Sequence, residues 1–380
     1  MILVKNVEVY SPKYIGKKDV LISNGKITLI EEKVEIFNSK IKVIDGNKRK
    51  MVPGFIDQHV HITGGGGEGS FKTRAPEITL SKLTQAGITT VVGLLGTDGT
   101  TRSVENLVAK AKALNEEGIT AYAITSSYGY PPITITGSVK KDIVFIEEII
   151  GSKIAISDHR SSSLTNDELS RLASDVRVAA MLSGKAGIVV AHMGNGKRGL
   201  KPITEVINNT DIPIKTIRPT HVNRKKELLM EGFEYAKLGG FIDLTCGIYE
   251  DLSPGKVIQN AEKEGVPLEN ITISSDGYGS WSRYDDKGNI IEIGVSQVSS
   301  LYKEFLTMIG KLNFDFEKAL KFITSNVAKA LDLYPQKGAI KENSDADILL
   351  LDDDNNIQTV IANGKLMIHE GKTLVKGTYE

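Results

Sequence analysis

The stretch PGFIDQHVHITGGGGE, from Pro53 to Glu68, places two histidines one residue apart. In an extended strand side chains alternate between faces, so His59 and His61 point one way while Val60 packs on the other. Two imidazoles on one face can grip a metal ion. The run GFIDQHV is apolar enough for a buried parallel strand, and Gly64 to Gly67 break it into a loop. Taken alone, His-x-His also fits two ordinary polar residues at a strand end. Only six histidines occur in the chain, which makes the others informative. His192 ends GIVVAH, His221 ends IKTIRPTH, and Asp276 follows ITISS. Zinc and similar ions accept imidazole nitrogen and carboxylate oxygen, and two such ions held together polarise a carbonyl and acidify a bridging water. That chemistry is hydrolytic. A lone histidine is more often a satisfied polar group than a ligand, but five candidates at strand exits are harder to read that way. His159 is less well placed, His369 reads as an ordinary surface residue, and the single cysteine, Cys246, reads as core.

Gathering those residues requires a scaffold whose strands all open on one mouth. From Gly54 onward the pattern runs apolar strand, loop, amphipathic helix, and repeats at the spacing of βα units. The strand candidates are GFIDQHV, ITTVVGLL, ITAYAIT, KIAIS, GIVVAH, IKTIRPTH, GFIDLTC and NITISS. Helical stretches PEITLSKLTQAG, SVENLVAKAKALNEEG and DELSRLASDVRVAAMLSG each end at a glycine suited to a C-terminal cap. Eight strands predict a closed (β/α)8, TIM-like barrel over residues 53–334 rather than an open doubly wound sheet, because a barrel brings the exits of different strands to one rim. Residues 1–52 read as short strands (MILVKNVEVY, DVLISNGKITLIEE with a hairpin at Asn24-Gly25, and KIKVID), and DADILLLD, IQTVIANG and KLMIHEGK follow Pro335. Both ends are thus expected to form one small β-sandwich domain, residues 1–52 with 335–380. Helices are expected around Val295 to Ile309 and Asp315 to Leu331, and Trp281 to Asn289 reads as a polar loop.

Bulk properties narrow the class. The chain of 380 residues is 40% apolar, and lysine plus arginine equal aspartate plus glutamate at 47 each. No net field favours nucleic acid or an anionic membrane. The N-terminus lacks a basic region followed by an apolar core, and one cysteine allows no internal disulfide, so a cytoplasmic protein is expected.

With these residues in view, the chain resembles the amidohydrolase superfamily and, within it, the β-aspartyl (isoaspartyl) dipeptidases over nearly its full length. The resemblance rests on PGFIDQHVH with GGGGE, VVGLLGTD at Val91 to Asp98, KALNEEGI, TITGSV at Thr134 to Val139, and ISDHRS at Ile156 to Ser161. HMG at His192, PTHVNR at Pro219 to Arg224 and SSDGYGS at Ser274 to Ser280 complete it. It implies a metallopeptidase with two Zn2+ ions per subunit, His59, His61 and Asp276 holding one and His192 and His221 the other. It also implies that Lys153, carboxylated by carbon dioxide to a carbamate, bridges them. An ammonium has no lone pair to offer a cation, and without the resemblance Lys153 would read as an exposed lysine at a strand end.

The implied reaction is hydrolysis of a β-aspartyl dipeptide to aspartate and an amino acid by a bridging hydroxide, with Asp276 as general base and acid. Glu68 suits the substrate's ammonium, and Arg160 and Arg224 suit its two carboxylates. By resemblance Gly66, Thr97, Tyr128 and Ser280 line the pocket, and Tyr128 helps polarise the carbonyl. The partner is a small dipeptide, and a homo-oligomer is expected. The competing readings are a cyclic-amide hydrolase of the dihydroorotase or hydantoinase type, which shares the metal site, and a non-catalytic scaffold of the same fold. Relatives often carry glycine near Asn343, where this chain departs from the pattern.

Overall fold

The computed structural model describes the chain apart from residues 37–38, 248–249 and 288. Five strands come first: β1 (Ile2–Tyr10), β2 (Tyr14–Ser23), β3 (Lys26–Glu31), β4 (Lys42–Asp45) and β5 (Lys50–Pro53). β2 and β3 join through Asn24 and Gly25, both at positive φ (50° and 77°), the backbone a two-residue hairpin of matching twist requires. Strands and helices then alternate: β6 (Phe55–Val60), α1 (Leu80–Gln85), β7 (Ile88–Gly93), α2 (Val104–Glu117), β8 (Thr120–Thr125), α3 (Val139–Phe145), β9 (Ile149–Ile156), α4 (Asn166–Ser183) and β10 (Ile188–Met193). They continue with α5 (Lys201–Asn209), β11 (Ile217–Thr220), α6 (Lys226–Lys237), β12 (Ile242–Thr245), α7 (Pro254–Lys263) and β13 (Ile271–Ser274). A hairpin of β14 (Ser280–Tyr284) and β15 (Ile290–Val295) follows, then α8 (Ser299–Gly310), α9 (Phe316–Lys321) and α10 (Ser325–Ala330). β16 (Ile348–Leu351), β17 (Ile357–Ala362), β18 (Lys365–His369) and β19 (Lys372–Thr373) end the chain.

β6 to β13 form one parallel sheet in sequential order, and its first and last strands meet through a bridge between Val60 and Gly277. All eight strands expected from sequence are present, and the sheet is a nearly closed barrel. Alternate residues of its first five strands point inward: Ile56, Val92, Ile124, Ile188 and Val190 form an apolar plug floored by Val327 and Ala328 of α10 and by Leu331 just after it. Their neighbours Val91, Ala123, Val189 and Ala191 pack outward under the helices. The helix ends follow their sequence signals. Thr165 and Glu168 close a capping box at the start of α4, and Gly118 and Gly184 end α2 and α4 in the left-handed conformation.

β16 to β19 join β1 to β5 in a nine-stranded sheet, with β5 hydrogen-bonded between β1 and β16. Both ends of the chain thus form one separate β unit. Its sandwich character comes from one sheet curling on itself: Val4, Ile22 and Ile27 share a core with Ile348, Leu350 and Ile361. Asn343 takes φ of 69°, a conformation that asparagine tolerates better than most side chains, so the turn forms without the glycine. Among the described residues no helix is long and apolar enough to cross a membrane.

Five expectations need correction. Trp281 to Asn289 is not a plain loop: Ser280–Tyr284 pairs antiparallel with Ile290–Val295 (residue 288 lies outside the described residues), because SWSRY and IIEIGV carry strand-forming residues on either side of a polar turn. The following helix therefore starts at Ser299 rather than near Val295. The helix expected over Asp315 to Leu331 is broken at Thr324, whose φ of −133° and ψ of −92° are non-helical. The strand read as KIAIS begins four residues earlier, at Ile149, and of IKTIRPTH only Ile217–Thr220 is strand.

Candidate active site

The cluster is built from strand exits. His59 is the penultimate residue of β6 and His61 follows the strand, His192 lies in β10, and His221 and Asp276 follow β11 and β13 by one and two residues. His221 and Asp276 sit at positive φ (62° and 52°), a cost tolerated where the surroundings fix the backbone, and this turn brings both side chains back over the mouth. His61 N–H donates to the carbonyl of Gly277 at 2.8 Å, so closure of the barrel also places the β6 and β13 contributions side by side. Asp276 Oδ1 lies 3.5 Å from His59 Nε2 and 3.2 Å from His61 Nε2. Ring centroids of His59 and His221 are 4.9 Å apart, and those of His192 and His221 are 4.7 Å apart.

Lys153 reaches the same mouth through an irregularity that its sequence does not announce. Ala123 pairs with Ile149 but the next residue, Ile124, pairs with Gly151, so β9 carries an extra residue at Ile150. The bulge resets the alternation and sets Lys153 beside inward-facing Val190. Far from being an exposed strand-end residue, Lys153 is fully buried, its Nζ 3.4 Å from His59 Nε2. No carboxylate lies within 4.0 Å of it among the described residues, whereas the other deeply buried lysine, Lys337, meets Asp347 at 2.6 Å and Asp345 at 2.8 Å. Burial pulls the Lys153 ammonium down to about 7. Burial likewise holds His59, His192 and His221 well below the ordinary imidazole range, and it lowers His61.

Neutral imidazoles beside one carboxylate are a donor set for a divalent cation. The donor atoms of His59, His221 and Asp276 all lie within 4.8 Å of one another, and the buried Nδ1 of His61 has no hydrogen-bond partner. These residues fit a metal centre. His192 is engaged otherwise: its Nδ1 meets the Tyr128 hydroxyl at 2.8 Å and its Nε2 meets Asp158 at 3.2 Å. Burial raises Tyr128 above the usual phenol range, which keeps its proton in place.

The same cavity, about 390 Å³, is lined by Gly66, Glu68, Tyr128, Arg160, Arg224 and Ser280 among others. Thr97 lies just behind, donating to Glu68 Oε1 at 3.3 Å, while Ser280 donates to Glu68 Oε2 at 2.8 Å. Glu68 rides on the glycine loop, which Arg102 pins by donating to the carbonyls of Thr63, Gly65 and Ala75. Gly66 adopts φ of 85°, and a Cβ there would stand 2.3 Å from the carbonyl of Thr73. Arg224 also lines the cavity, as do Thr245 and Cys246, so Cys246 is both core and cavity wall. His159 is rim-exposed, and His369 lies in the chain-end sheet, away from the cluster.

Several supporting residues escape motif reading. Asp158 takes the fork of Arg160, with Nε to Oδ1 and Nη2 to Oδ2 both at 2.9 Å. Under the cluster, Asp243 accepts from Thr220, Thr272, Ser274 and Gln58, and Arg218 donates to Gln58 at 3.0 Å. Thr245 Oγ1 meets His221 Nδ1 at 2.6 Å. A signal existed: IRPT, IDLT and ITIS alternate polar with apolar residues, so the polar set must face the barrel interior.

Comparison with known proteins places the fold and the family. The chain is 44% identical to a β-aspartyl dipeptidase from the thermophilic keratin-degrading Fervidobacterium islandicum AW-1, solved in complex with β-Asp-Leu dipeptide. That superposition covers 98% of this chain and 97% of the other, with a TM-score of 0.94. A D-hydantoinase shares the fold at 20% identity over 99% of this chain and 97% of its own, with a TM-score of 0.69. A dihydroorotase of Listeria monocytogenes serotype 4a (strain HCC23) is 32% identical over 166 residues, which is 41% of this chain and only 37% of that relative. Residues 51–367 match the amidohydrolase family, and this chain belongs to it.

Proposed function

We propose that this protein hydrolyses β-aspartyl dipeptides, releasing aspartate and an amino acid. The observation that carries the reading is the charge arrangement in the cavity: of its charged residues Asp276 belongs to the histidine cluster, Asp158 is forked to Arg160 and Arg283 pairs with Glu292, which leaves Glu68 and the guanidinium groups of Arg160 and Arg224 to face a ligand beside the cluster. A β-aspartyl dipeptide offers one ammonium and two carboxylates. Its ammonium meets Glu68, and its carboxylates meet the two arginines. The similarity to a β-aspartyl dipeptidase bound to β-Asp-Leu supports the same substrate class.

Two zinc ions, held by His59, His61 and Asp276 and by His192 and His221, with a carbamate on Lys153 between them, would polarise the amide carbonyl and acidify the attacking water. Lys153 is suited to that modification, since a buried amine without a carboxylate partner favours the neutral form that adds to carbon dioxide. Tyr128, kept protonated by burial, donates its hydroxyl hydrogen to the carbonyl oxygen as charge develops there. Asp276 takes the proton of the attacking water and passes it to the leaving nitrogen. Glu68 and the arginines hold the substrate's ends so that the amide lies over the cluster.

The other reading kept open is a cyclic-amide hydrolase, favoured by the dihydroorotase relative. Glu68 argues against it, because a cyclic amide whose carboxylate drew Arg160 away would bring no ammonium in its place to a carboxylate whose side chain is only 8% exposed. Steady-state kinetics with β-Asp-Leu, α-Asp-Leu, dihydroorotate and hydantoin decide between them. Faster turnover of either cyclic amide than of β-Asp-Leu would overturn the proposal.

A further inference from the structure

Arg160 meets a carboxylate of its own chain before it can meet any substrate. Nε donates to Asp158 Oδ1 and Nη2 to Asp158 Oδ2, both at 2.9 Å, and the Arg160 backbone N–H also reaches Oδ1 at 2.8 Å. This is the forked contact by which a guanidinium takes a carboxylate, and it consumes the Nε edge. Nη1 is turned the other way, 3.4 Å from Glu68 Oε1 and 3.3 Å from Thr97 Oγ1. The Tyr128 ring supports the guanidinium from one face, its centroid 5.1 Å from Cζ. Asp158 itself is deeply buried; among the described residues Arg160 is the one guanidinium or ammonium group it reaches, and the imidazoles of His192 and His159 flank it.

We propose that Asp158 is a positioning residue: it locks Arg160 by its Nε edge and turns Nη1 toward Glu68, so that the two pair across the cavity wall. A ligand parts that pair without loss only if it brings an ammonium for Glu68 and a carboxylate for Nη1 together. A ligand bringing only a carboxylate would leave the buried Glu68 carboxylate without a cation, and one bringing only an ammonium would leave Nη1 with Thr97 as its one acceptor. The group that meets both demands carries an ammonium and a carboxylate close together, as the free end of a β-aspartyl dipeptide does. The inference rests on the reading of Glu68 and Arg160 as head-group contacts, and it adds what sets the geometry and why both charges are required.

The test is steady-state kinetics on the full-length, metal-loaded protein and on Asp158→Asn, Arg160→Lys and the double variant, with metal content measured for each. Asparagine keeps one acceptor but presents an NH2 to Nη2, so Asp158→Asn is expected to raise KM for β-Asp-Leu about tenfold or more while lowering kcat by less than about threefold. Arg160→Lys cannot form the fork, so adding Asp158→Asn to it is expected to change KM by less than about twofold, since Asp158 acts through Arg160. N-acetyl-β-Asp-Leu, which lacks the ammonium, is expected to be a poor substrate for every variant. If the asparagine variant does not fold, Asp158→Glu carries the test, with a KM rise of about threefold or more at unchanged metal content. An unchanged KM in the Asp158 variants, or fully additive effects in the double variant, overturns the proposal. A parent protein that does not hydrolyse β-Asp-Leu overturns the functional reading itself, whereas an active parent indifferent to Asp158 overturns only this inference.

Discussion

Replacing Glu68 with glutamine removes one charge and almost no volume. In the structure its carboxylate accepts from Ser280 at 2.8 Å, from Thr97 at 3.3 Å and from Arg160 at 3.4 Å. A glutamine amide oxygen can keep the Ser280 contact, but its NH2 faces donors, and the charge that would meet a substrate ammonium is gone. A hydrogen bond to a charged group contributes about 1.5–3 kcal/mol. At about 1.4 kcal/mol per factor of ten, kcat/KM for β-Asp-Leu should fall about 10-fold to 150-fold. The side chain is only 8% exposed, so solvent screens it little and the upper part of that range is expected. Because the ammonium contact is the same before and during reaction, the loss should appear mainly in KM. Steady-state rates with β-Asp-Leu and with N-acetyl-β-Asp-Leu provide the assay, since acetylation removes the ammonium and should make the substitution nearly silent. A Glu68→Gln protein whose kcat/KM for β-Asp-Leu stays within about twofold of the parent refutes the ammonium contact. An equal loss on both substrates would mean general damage to the site instead.

Asp276→Asn keeps a ligating oxygen but removes the base, so near-normal metal content with kcat lowered about 10²-fold or more is expected from metal analysis and kinetics. Lys153→Met, similar in size but unable to take up carbon dioxide, should bind fewer than two zinc ions per chain by elemental analysis and lose nearly all activity. Far from the cavity, Lys337→Met leaves buried Asp347 without a cation and Asp345 with Lys26 alone next to β8, where Lys337 also donates to Thr120 at 2.7 Å; urea unfolding should show a loss of about 3 kcal/mol or more. Burial pushes the Lys337 ammonium down, yet Asp347 and Asp345 outweigh it and raise its pKa; burial pushes Asp345 up, yet Lys337 and Lys26 outweigh it and lower its pKa. The contribution is thus present between about pH 4 and pH 10. It is lost as pH falls through the lowered value of Asp345 or rises through the raised value of Lys337, so the stability difference between parent and variant should shrink at both extremes.

The barrel was legible because its evidence is local. Eight apolar runs, glycines at helix ends and an Asn-Gly hairpin each state a backbone preference within a few residues. The histidines at strand exits were legible for the same reason: period-two alternation puts His59 and His61 on one face whatever else the chain does. Where local signals compete, the reading slipped. SWSRY and IIEIGV lie on either side of a polar turn, and polarity hid the pairing that makes them a hairpin.

What the sequence by itself determined is therefore the set of elements and the side chains their periodicity aims at a common mouth. Only the tertiary structure decided the chemical state of those side chains. Lys153 and Lys337 are the same residue type and both are buried, but a bulge at Ile150 turns the first into a cluster of imidazoles, while the second meets two aspartates. One is driven toward a neutral amine and the other held as an ammonium. Arg160 could be read from its motif as a carboxylate receptor, yet Asp158, two residues before it, claims the fork, and Glu68, 92 residues before it, the remaining corner. Gln58 and Asp243 stand 185 residues apart in the chain and hydrogen-bond beneath the site. Burial and partnership are sums over residues brought together by folding, and those sums set pKa, hydrogen-bond role and metal affinity.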